Sequence, residues 1–331
     1  MSLLDLPRRG YVKKPTDLVY LPKLTEALGH KARIWVKRDD LLPGAGGGNK
    51  TRKLDYLIAD ALRHGADSLI TCGAVQSNHA RLTLSWAKTE GLQCHLVLEV
   101  PEGREYDPHA GGNNLLYRLL GADSITVVPE GKSTDEAMEE KARELRRSGK
   151  HPYIIPMGGS NALGAAGYAG CGLEIAQQAF ELRINPAAVV LPSGSAGTQA
   201  GLAVGLADAG LSVAALGINV SQTNAVERPK ALRLAKETAK LLGVPPPKES
   251  LILNSDEYFA PGYALPNPAM VEAVKLFART EGILLDPVYS GKAAAGLIGL
   301  LRLDAFPPDS DVIFLHTGGT AALYEYKDAF F

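Results

Sequence analysis

The sequence A-A-V-V-L-P-S-G-S-A-G-T-Q-A-G-L-A-V-G-L-A occupies residues 187–207 and carries no charged side chain. An uncharged segment of this length can span a bilayer as a helix. Pro192 and the small residues after it would break such a helix in its middle, whereas a strand, a turn and a helix would use them naturally. We therefore predict a β-strand over 188–191, a turn over 193–198, a helix over 199–209 and no membrane span.

The same alternation of β-rich runs and amphipathic stretches continues along the chain. Residues 54–62 place apolar side chains at helical spacing, with Gly65 positioned to end the helix, and 136–147 is typical of a charged surface helix. Strands alternating with helices predict mainly parallel sheets in an α/β fold, with ligands beyond the carboxyl ends of the strands. The predicted strands are 33–36, 68–72, 94–100, 124–128, 153–156, 188–191, 213–220 and 312–315.

Composition excludes several classes of function. The chain has 331 residues, enough for two α/β domains or one large one. Hydrophobic residues make up 46%, charged residues 21%, and the formal net charge is -1, which is typical of a soluble globular protein and indicates neither nucleic acid nor an anionic membrane as a partner.

The first residues and the cysteines indicate the compartment. Residues 1–14 are interrupted by Pro7, Arg8 and Arg9 and never build the apolar run of a secretory signal, so we expect a cytoplasmic protein. The three cysteines, Cys72, Cys94 and Cys171, have no short metal-ligand spacing. We expect reduced thiols and no metal.

A glycine-rich segment places Lys50 at the start of a helix. Residues 46–49 read G-G-G-N, between a strand ending near Arg38 and a helix beginning near Thr51. The helix dipole and the neighbouring Arg52 and Lys53 should disfavour a protonated amine and lower the pKa of Lys50. Such a lysine can bind pyridoxal phosphate as a Schiff base and then act as a general base. A flexible surface loop followed by a solvated lysine is the alternative.

A nucleotide-binding loop is a second alternative for this segment. Residues 44–51 read G-A-G-G-G-N-K-T, which is close to G-x-x-x-x-G-K-[ST]. Asn49 stands where the second glycine is needed for the backbone to wrap the phosphates. We therefore disfavour this interpretation.

The turn over 193–198 is the predicted phosphate-binding loop. Small residues there let backbone N–H groups approach an anion, and two hydroxyls and the dipole of the following helix add to this. The segment lacks the G-x-G-x-x-G order of a dinucleotide site, so one phosphate fits better. A tight strand-to-helix turn is the alternative. The predicted cofactor-binding residues in this loop are Gly194, Ser195, Ala196, Gly197 and Thr198.

One further segment follows a predicted strand. Gln76, Ser77, Asn78 and His79 come after the strand ending at Cys72; capping of the next helix by Ser77 or Asn78 would explain them, and so would binding of a substrate carboxylate and a cofactor hydroxyl. By itself, His79 is more typical of a structural histidine than of a catalyst.

Two more segments with candidate residues are 286–290 and 316–319. A serine or threonine facing the pyridine nitrogen makes the cofactor a weaker electron sink than a carboxylate does, which suits elimination better than transamination. The candidates are Tyr289, Ser290 and Thr317. The alternative is that Tyr289 packs in a core and Thr317 ends a strand.

Taken together, these segments resemble the fold-type II pyridoxal phosphate enzymes, specifically the family of D-cysteine desulfhydrase, L-cysteate sulfo-lyase and aminocyclopropane carboxylate deaminase. The resemblance spans nearly the whole chain. The motifs that carry it are K-R-D-D at 37–40, G-G-N-K-T-R-K-L at 47–54, Q-S-N-H at 76–79, G-G-S-N-A-L-G at 158–164, G-S-A-G-T at 194–198, L-D-P-V-Y at 285–289 and H-T-G-G at 316–319.

The resemblance implies a fold like that of the tryptophan synthase β chain, with two open, twisted, mainly parallel sheets flanked by helices. It implies a larger cofactor-binding domain of residues 1–50 and 160–331, a smaller domain of residues 51–159, an active site in the cleft between them, and a homodimer. By position, Lys50 would be the Schiff-base lysine, Asn78 a cofactor contact, Ser77 a neighbour of the substrate and Tyr289 the aromatic residue beside the ring. The segment D-E-Y-F-A-P-G-Y at 256–263 resembles the desulfhydrase form and would place Tyr263 over the substrate.

Two departures bear on the branch of the family. In the deaminase branch a glutamate follows the D-P-V-Y tyrosine and a leucine occupies H-x-G-G, whereas this chain has Ser290 and Thr317. These departures argue against ring-opening deamination, and because the segment 256–263 resembles the desulfhydrase form, we expect D-cysteine to be converted to pyruvate, hydrogen sulfide and ammonia. L-Cysteate sulfo-lyase, which releases sulfite instead, remains open because it shares Q-S-N-H-A-R and G-S-A-G-T-Q-A-G-L, and deamination of aminocyclopropane carboxylate is less favoured. A non-catalytic pyridoxal phosphate carrier would not need Ser77, Tyr263 and Tyr289.

Overall fold

The computed structural model describes residues 2–101 and 105–331. The strands are β1 (Leu18–Tyr20), β2 (Arg33–Lys37), β3 (Ser68–Ala74), β4 (Gln93–Val100), β5 (Ser124–Pro129), β6 (Pro152–Ile155), β7 (Pro186–Ser193), β8 (Ala214–Asn219), β9 (Ile252–Ser255) and β10 (Asp311–Leu315). The α-helices are α1 (Pro22–Ala27), α2 (Lys50–Arg63), α3 (Asn78–Thr89), α4 (Gly112–Leu119), α5 (Thr134–Arg147), α6 (Ala162–Leu182), α7 (Gly197–Asp208), α8 (Asn224–Leu242), α9 (Pro268–Glu281), α10 (Ser290–Arg302) and α11 (Thr320–Leu323).

The strands form two sheets. One has the order β1-β2-β10-β7-β8-β9 and is parallel except where β1 pairs with β2, and the other has the order β5-β4-β3-β6 and is parallel. The chain leaves the first sheet after β2, builds the second, and returns at β7. The predicted fold class is confirmed; the predicted boundaries at residues 50 and 160 stay a prediction.

Helices cover both faces of each sheet. Apolar clusters lie on the two sides of the larger sheet, one with α6, α7 and α8 and the other with α9 and α10. The smaller sheet has α2 and α3 on one side and α5 on the other. Such coverage is what parallel sheets require. Within the described ranges, no helix is both long and apolar enough to cross a membrane.

Glycines on α7 let it approach α6 closely. A Cβ on Gly201 would collide with the Ala165 carbonyl, and one on Gly205 with the Ala169 carbonyl. This contact fixes the position of α7, which begins after the short turn that follows β7.

A buried ionic network anchors α2 to the larger sheet. The Arg52 guanidinium donates to both carboxylate oxygens of Asp39 at 2.7 and 2.9 Å, and to Glu174 of α6 at 2.7 Å. Lys37 of β2 donates to the same glutamate at 2.8 Å. Bidentate pairs of this kind hold the partners in a defined geometry. The network therefore fixes the helix that begins at Lys50.

Candidate active site

A cavity of about 510 Å³ lies at the carboxyl ends of strands from both sheets, a volume typical of small-molecule sites. Most of the residues predicted from sequence line it, whereas Gln76, Gly197 and Ser290 do not. The predicted residues in its wall are Lys50, Ser77, Asn78, His79, Gly194, Ser195, Ala196, Thr198, Tyr263, Tyr289 and Thr317.

Lys50 is the first residue of α2 and is reached through a loop of left-handed glycines. Gly46, Gly47 and Gly48 have φ angles of 78, 65 and 126°, values that favour glycine. A Cβ on Gly47 would also collide with backbone carbonyls of Asp40 and Leu42. The loop is therefore compact and packed, and the flexible-loop alternative does not apply.

The amine of Lys50 is connected to the turn over 194–198 by one side chain. Lys50 Nζ donates to Asn49 Oδ1 at 3.0 Å, and Asn49 Nδ2 donates to Thr198 Oγ1 at 3.0 Å. The Asn49 backbone N–H donates to the Thr317 carbonyl at 3.0 Å. Asn49 thus joins the lysine to both loops predicted to contact the cofactor.

Burial lowers the pKa of Lys50 from the usual 10.5 to about 8, and the positive charge of Arg81 contributes in the same direction while Asp286 opposes it. A lysine with this pKa has an appreciable fraction of neutral, nucleophilic amine near neutral pH. The lowered pKa was predicted, but its attribution to Arg52 was wrong, because the carboxylates of Asp39 and Glu174 neutralise that guanidinium. Burial and then the charge of Lys50 hold the pKa of Lys53 well below its usual value.

The turn over 194–198 forms a cradle for an anion. Ala196 takes a left-handed conformation, with φ 63°, and α7 begins at the next residue, so the positive end of the helix faces the turn. Ser195 Oγ lies 2.7 Å from Ser160 Oγ. Hydroxyls and a helix N-terminus in this arrangement suit a phosphate.

Lys53 completes this cradle, which the sequence did not reveal. Its buried amine donates to Ser160 Oγ and to the Gly158 carbonyl, both at 3.0 Å, and would lie 2.8 Å from a Cβ on Gly197. A phosphate bound in the cradle would favour the charged form of this fully buried amine. The lysine of α2 and the cradle therefore fit pyridoxal phosphate, which needs one amine and one phosphate site.

In the segment 76–79 one residue caps a helix, and all but the first residue line the cavity. Ser77 caps α3 by accepting a hydrogen bond from Ala80 N at 3.1 Å, and Asn78 Oδ1 accepts from Asn113 Nδ2 at 2.9 Å. The amide of Gln76 instead bonds to the backbone of residues 111 and 113, outside the cavity wall. Burial holds the pKa of His79 well below the usual value, and its Nε2 lies 2.8 Å from Thr71 Oγ1. The imidazole is neutral and tied to a strand.

Two tyrosines meet in the cavity. The hydroxyls of Tyr263 and Tyr289 are 2.5 Å apart, and their rings meet edge to face at 71° with centroids 6.0 Å apart. Burial, the neighbouring Tyr289 phenol and its hydrogen bond hold the pKa of Tyr263 well above the usual value, and burial raises the pKa of Tyr289 to about 12. Both phenols stay protonated at neutral pH and can donate a proton or a hydrogen bond.

The hydroxyl of Ser290 is hydrogen-bonded to the carboxylate of Asp286, a residue to which the sequence analysis assigned no role. Its hydroxyl donates to Asp286 Oδ1 at 2.7 Å, and Asp286 also accepts from the backbone N–H groups of residues 288–290. Asp286 is fully buried, and its charge acts on Lys50. The signal for it was an aspartate followed by proline just before a helix, a pattern of N-terminal capping. Of the two residues predicted to offer a hydroxyl to the pyridine nitrogen, Ser290 and Thr317, Thr317 is thus the one that lines the cavity.

Comparisons with known proteins agree on the family and the fold. A family model described as "Pyridoxal-phosphate dependent enzyme" matches residues 11–318. A solved structure described as an "ACC deaminase homologue" is 36% identical, with a TM-score of 0.89, and the match covers 99% of this chain and 96% of that one.

Two more distant structures share the fold. A fungal L-serine ammonia-lyase from Rhizomucor miehei is 20% identical, with a TM-score of 0.65 and coverage of 96% of this chain and 99% of that one. An O-ureido-L-serine synthase is 16% identical, with a TM-score of 0.66 and coverage of 99% and 94%.

Proposed function

Because the chain belongs to the family of pyridoxal-phosphate dependent enzymes, we propose that it is a lyase that removes a β-substituent from a small amino acid. D-Cysteine is the proposed substrate, and pyruvate, hydrogen sulfide and ammonia are the products. The observation that carries this proposal is a cavity lined both by a lysine whose pKa is lowered to about 8 and by a pair of hydrogen-bonded tyrosines.

Residues from α2, from the turn after β7 and from the loop after β10 would hold the cofactor. Lys50 would bind its aldehyde carbon, the turn over 194–198 with Lys53 would hold its phosphate, and Thr317 would offer a hydroxyl to its ring. When bound, pyridoxal phosphate supplies an electron sink for the negative charge left at the α-carbon of the substrate, and a hydroxyl partner makes this sink weaker than a carboxylate would.

Lys50 and the tyrosine pair supply the two proton transfers of an elimination. Lys50 Nζ takes the proton of the α-carbon, for which a pKa near 8 is well suited. The bond between the β-carbon and sulfur breaks, its electron pair leaves with sulfur, and the hydroxyl of Tyr263 gives a proton to that sulfur. Water then hydrolyses the released enamine to pyruvate and ammonia.

The charge around Tyr263 favours a thiol over a sulfonate as leaving group. Glu99 and Glu130 line the cavity, and the charge of Glu99 is among the influences that raise the pKa of Tyr263, after burial, Tyr289 and Asp286. A negative field at this position would repel the sulfonate of L-cysteate. The thiol of D-cysteine is uncharged when it binds, so this field does not oppose its binding.

Ser290 supports elimination over ring-opening deamination. It occupies the position where the deaminase branch carries glutamate, and its hydroxyl is held by Asp286. No carboxylate side chain stands at this position to serve that branch's chemistry.

A side-by-side assay of pyruvate release tests the proposal. The substrates are D-cysteine, L-cysteine, L-cysteate, β-chloro-D-alanine and aminocyclopropane carboxylate, and the control is Lys50→Ala. We expect D-cysteine to be used best and the variant to be inactive. The highest kcat/KM with L-cysteate would replace the proposed substrate, and no pyruvate from any of them would favour a non-catalytic carrier. Full pyruvate release by Lys50→Ala would refute the mechanism.

We further propose that the protein acts in the cytoplasm and, as the family resemblance implies, as a homodimer. Light scattering on the purified protein gives the molecular mass of the assembly in solution.

A further inference from the structure

The segment that carries Tyr263 lies between β9 and α9 and has no regular secondary structure. Its backbone carbonyls are held by two side chains, one at the start of α9 and one on α10. Asn267 Nδ2 donates to the carbonyls of Tyr258 and Ala260 at 3.0 and 2.8 Å. Lys292 Nζ donates to the carbonyls of Phe259 and Gly262 at 2.9 and 2.7 Å. We refer to residues 258–263 as the tyrosine loop.

Lys292 is an unexpected residue at its position. It is fully buried near the start of α10, where the helix dipole disfavours a positive charge. Its two hydrogen-bond acceptors are neutral carbonyls, and it lies outside the wall of the active-site cavity. An apolar side chain of similar length would avoid the desolvation cost of a buried amine. The role that these contacts support for Lys292 is therefore to hold the tyrosine loop.

The position of Lys292 on α10 links the two tyrosines. The helix begins directly after Tyr289, so Lys292 and Tyr289 belong to one rigid element. Gly262, whose carbonyl Lys292 holds, directly precedes Tyr263. Tyr258 adds a second anchor, because its hydroxyl packs where a Cβ on Gly299 of the same helix would stand. Thus α10 carries one tyrosine and fixes the backbone that carries the other.

We propose that Lys292 is a positioning residue for the reaction, which holds the tyrosine loop so that the Tyr263 hydroxyl meets the Tyr289 hydroxyl in the substrate cavity. This inference rests on the proposed function for its kinetic consequence, because Tyr263 is the proposed proton donor to the leaving group. The loop contact itself does not depend on the identity of the substrate.

The test uses holoenzyme of the wild type, Lys292→Met, Tyr263→Phe and the double variant, with Lys236→Met as a surface control. Lys236 is exposed and pairs with Glu249. Kinetics with D-cysteine should show kcat lowered by about tenfold to a hundredfold in both single variants, the scale of a misplaced catalytic group. The double variant should be no slower than the slower single variant, because Lys292 acts only through Tyr263. The surface control should match the wild type.

Two readouts are independent of turnover. Amide hydrogen exchange of peptides covering 258–263 should be at least about tenfold faster in Lys292→Met than in the wild type, since local opening controls exchange. The visible absorbance and the affinity for pyridoxal phosphate should be unchanged, because Lys292 is not part of the cofactor site. If Lys292→Met does not fold, Lys292→Gln, which keeps a shorter donor, serves in the same comparison.

The outcomes separate this inference from the proposed function. Unchanged exchange in the tyrosine loop, or kinetic losses that multiply in the double variant, would overturn the role of Lys292. A wild-type enzyme inactive on D-cysteine would overturn the proposed function and leave the exchange measurement to decide on Lys292.

Discussion

Asn49 and Thr198 are hydrogen-bonded across 149 positions of the chain, with Asn49 Nδ2 donating to Thr198 Oγ1 at 3.0 Å. The same asparagine accepts from Lys50 Nζ through its Oδ1. One buried amide therefore sets the position of the amine relative to the turn that would hold the phosphate. This explains physically why asparagine, and not the glycine of a nucleotide-binding loop, precedes Lys50.

Replacement of Asn49 by alanine should weaken cofactor binding. The variant leaves Thr198 Oγ1 and Lys50 Nζ without their partner, and a buried polar group without a partner costs about 1–3 kcal/mol, or about fivefold to 150-fold in affinity. Fluorescence titration of the apo-enzyme with pyridoxal phosphate measures this change. Asn185→Ala, at an exposed position, is the control. Equal affinities for both variants would contradict the role of Asn49.

Capture of the cofactor by Lys50 should depend on pH with a midpoint near 8. Only the neutral amine attacks an aldehyde, and the pKa of Lys50 is about 8, so the capture rate rises with pH and levels off above 8. Stopped-flow absorbance of apo-enzyme mixed with pyridoxal phosphate gives this rate. The midpoint should move upward in Arg81→Met, because the charge of Arg81 contributes to the lowered pKa. A midpoint near the 10.5 of an ordinary lysine in the wild type would count against the burial of this amine.

Lys53 should recognise the phosphate group and not the ring. In Lys53→Met we expect the affinity for pyridoxal phosphate to fall by about tenfold to a hundredfold, the worth of one charge-assisted hydrogen bond. The affinity for pyridoxal, which lacks the phosphate, should stay the same. Titration of both compounds into apo-enzyme provides the comparison, with the exposed Lys240→Met as control. A loss of the same size for both compounds would mean that Lys53 supports the fold and not the phosphate.

Glu99 should influence the choice of leaving group. Glu99→Gln removes a negative charge whose field reaches Tyr263, so the ratio of kcat/KM for L-cysteate to that for D-cysteine should rise about fivefold, equivalent to about 1 kcal/mol. Glu139→Gln, exposed on the smaller sheet's outer helix, is the matched control. A ratio that does not move would show that the field at Tyr263 does not select against sulfonates.

Most strands could be predicted because buried parallel strands are apolar runs bounded by turn residues. The prediction of 188–191 lies inside β7, and that of 312–315 inside β10. The strands β1 and β9 were missed because β1 has only three residues and β9 has only two apolar residues before its polar end, so that neither forms an apolar run.

The same distinction applies to the site, where some residues belong to a local sequence pattern and others depend on long-range packing. Lys50 and the turn over 194–198 could be found because glycines and hydroxyls at a strand-to-helix junction are a local pattern. Lys53 and Arg81 could not, since their effect depends on burial against segments far along the chain. Arg81, for example, is fully buried and donates to the Gly47 carbonyl at 2.9 Å, a contact that nothing in its own segment indicates.

The most direct test of the central claim is to locate the cofactor on the chain. Holoenzyme is reduced with borohydride, which makes the attachment permanent, then digested and analysed by mass spectrometry. We expect the phosphopyridoxyl group on Lys50 and on no other lysine. Attachment to Lys53 or Lys292, or no attachment at all, would contradict the account of this active site.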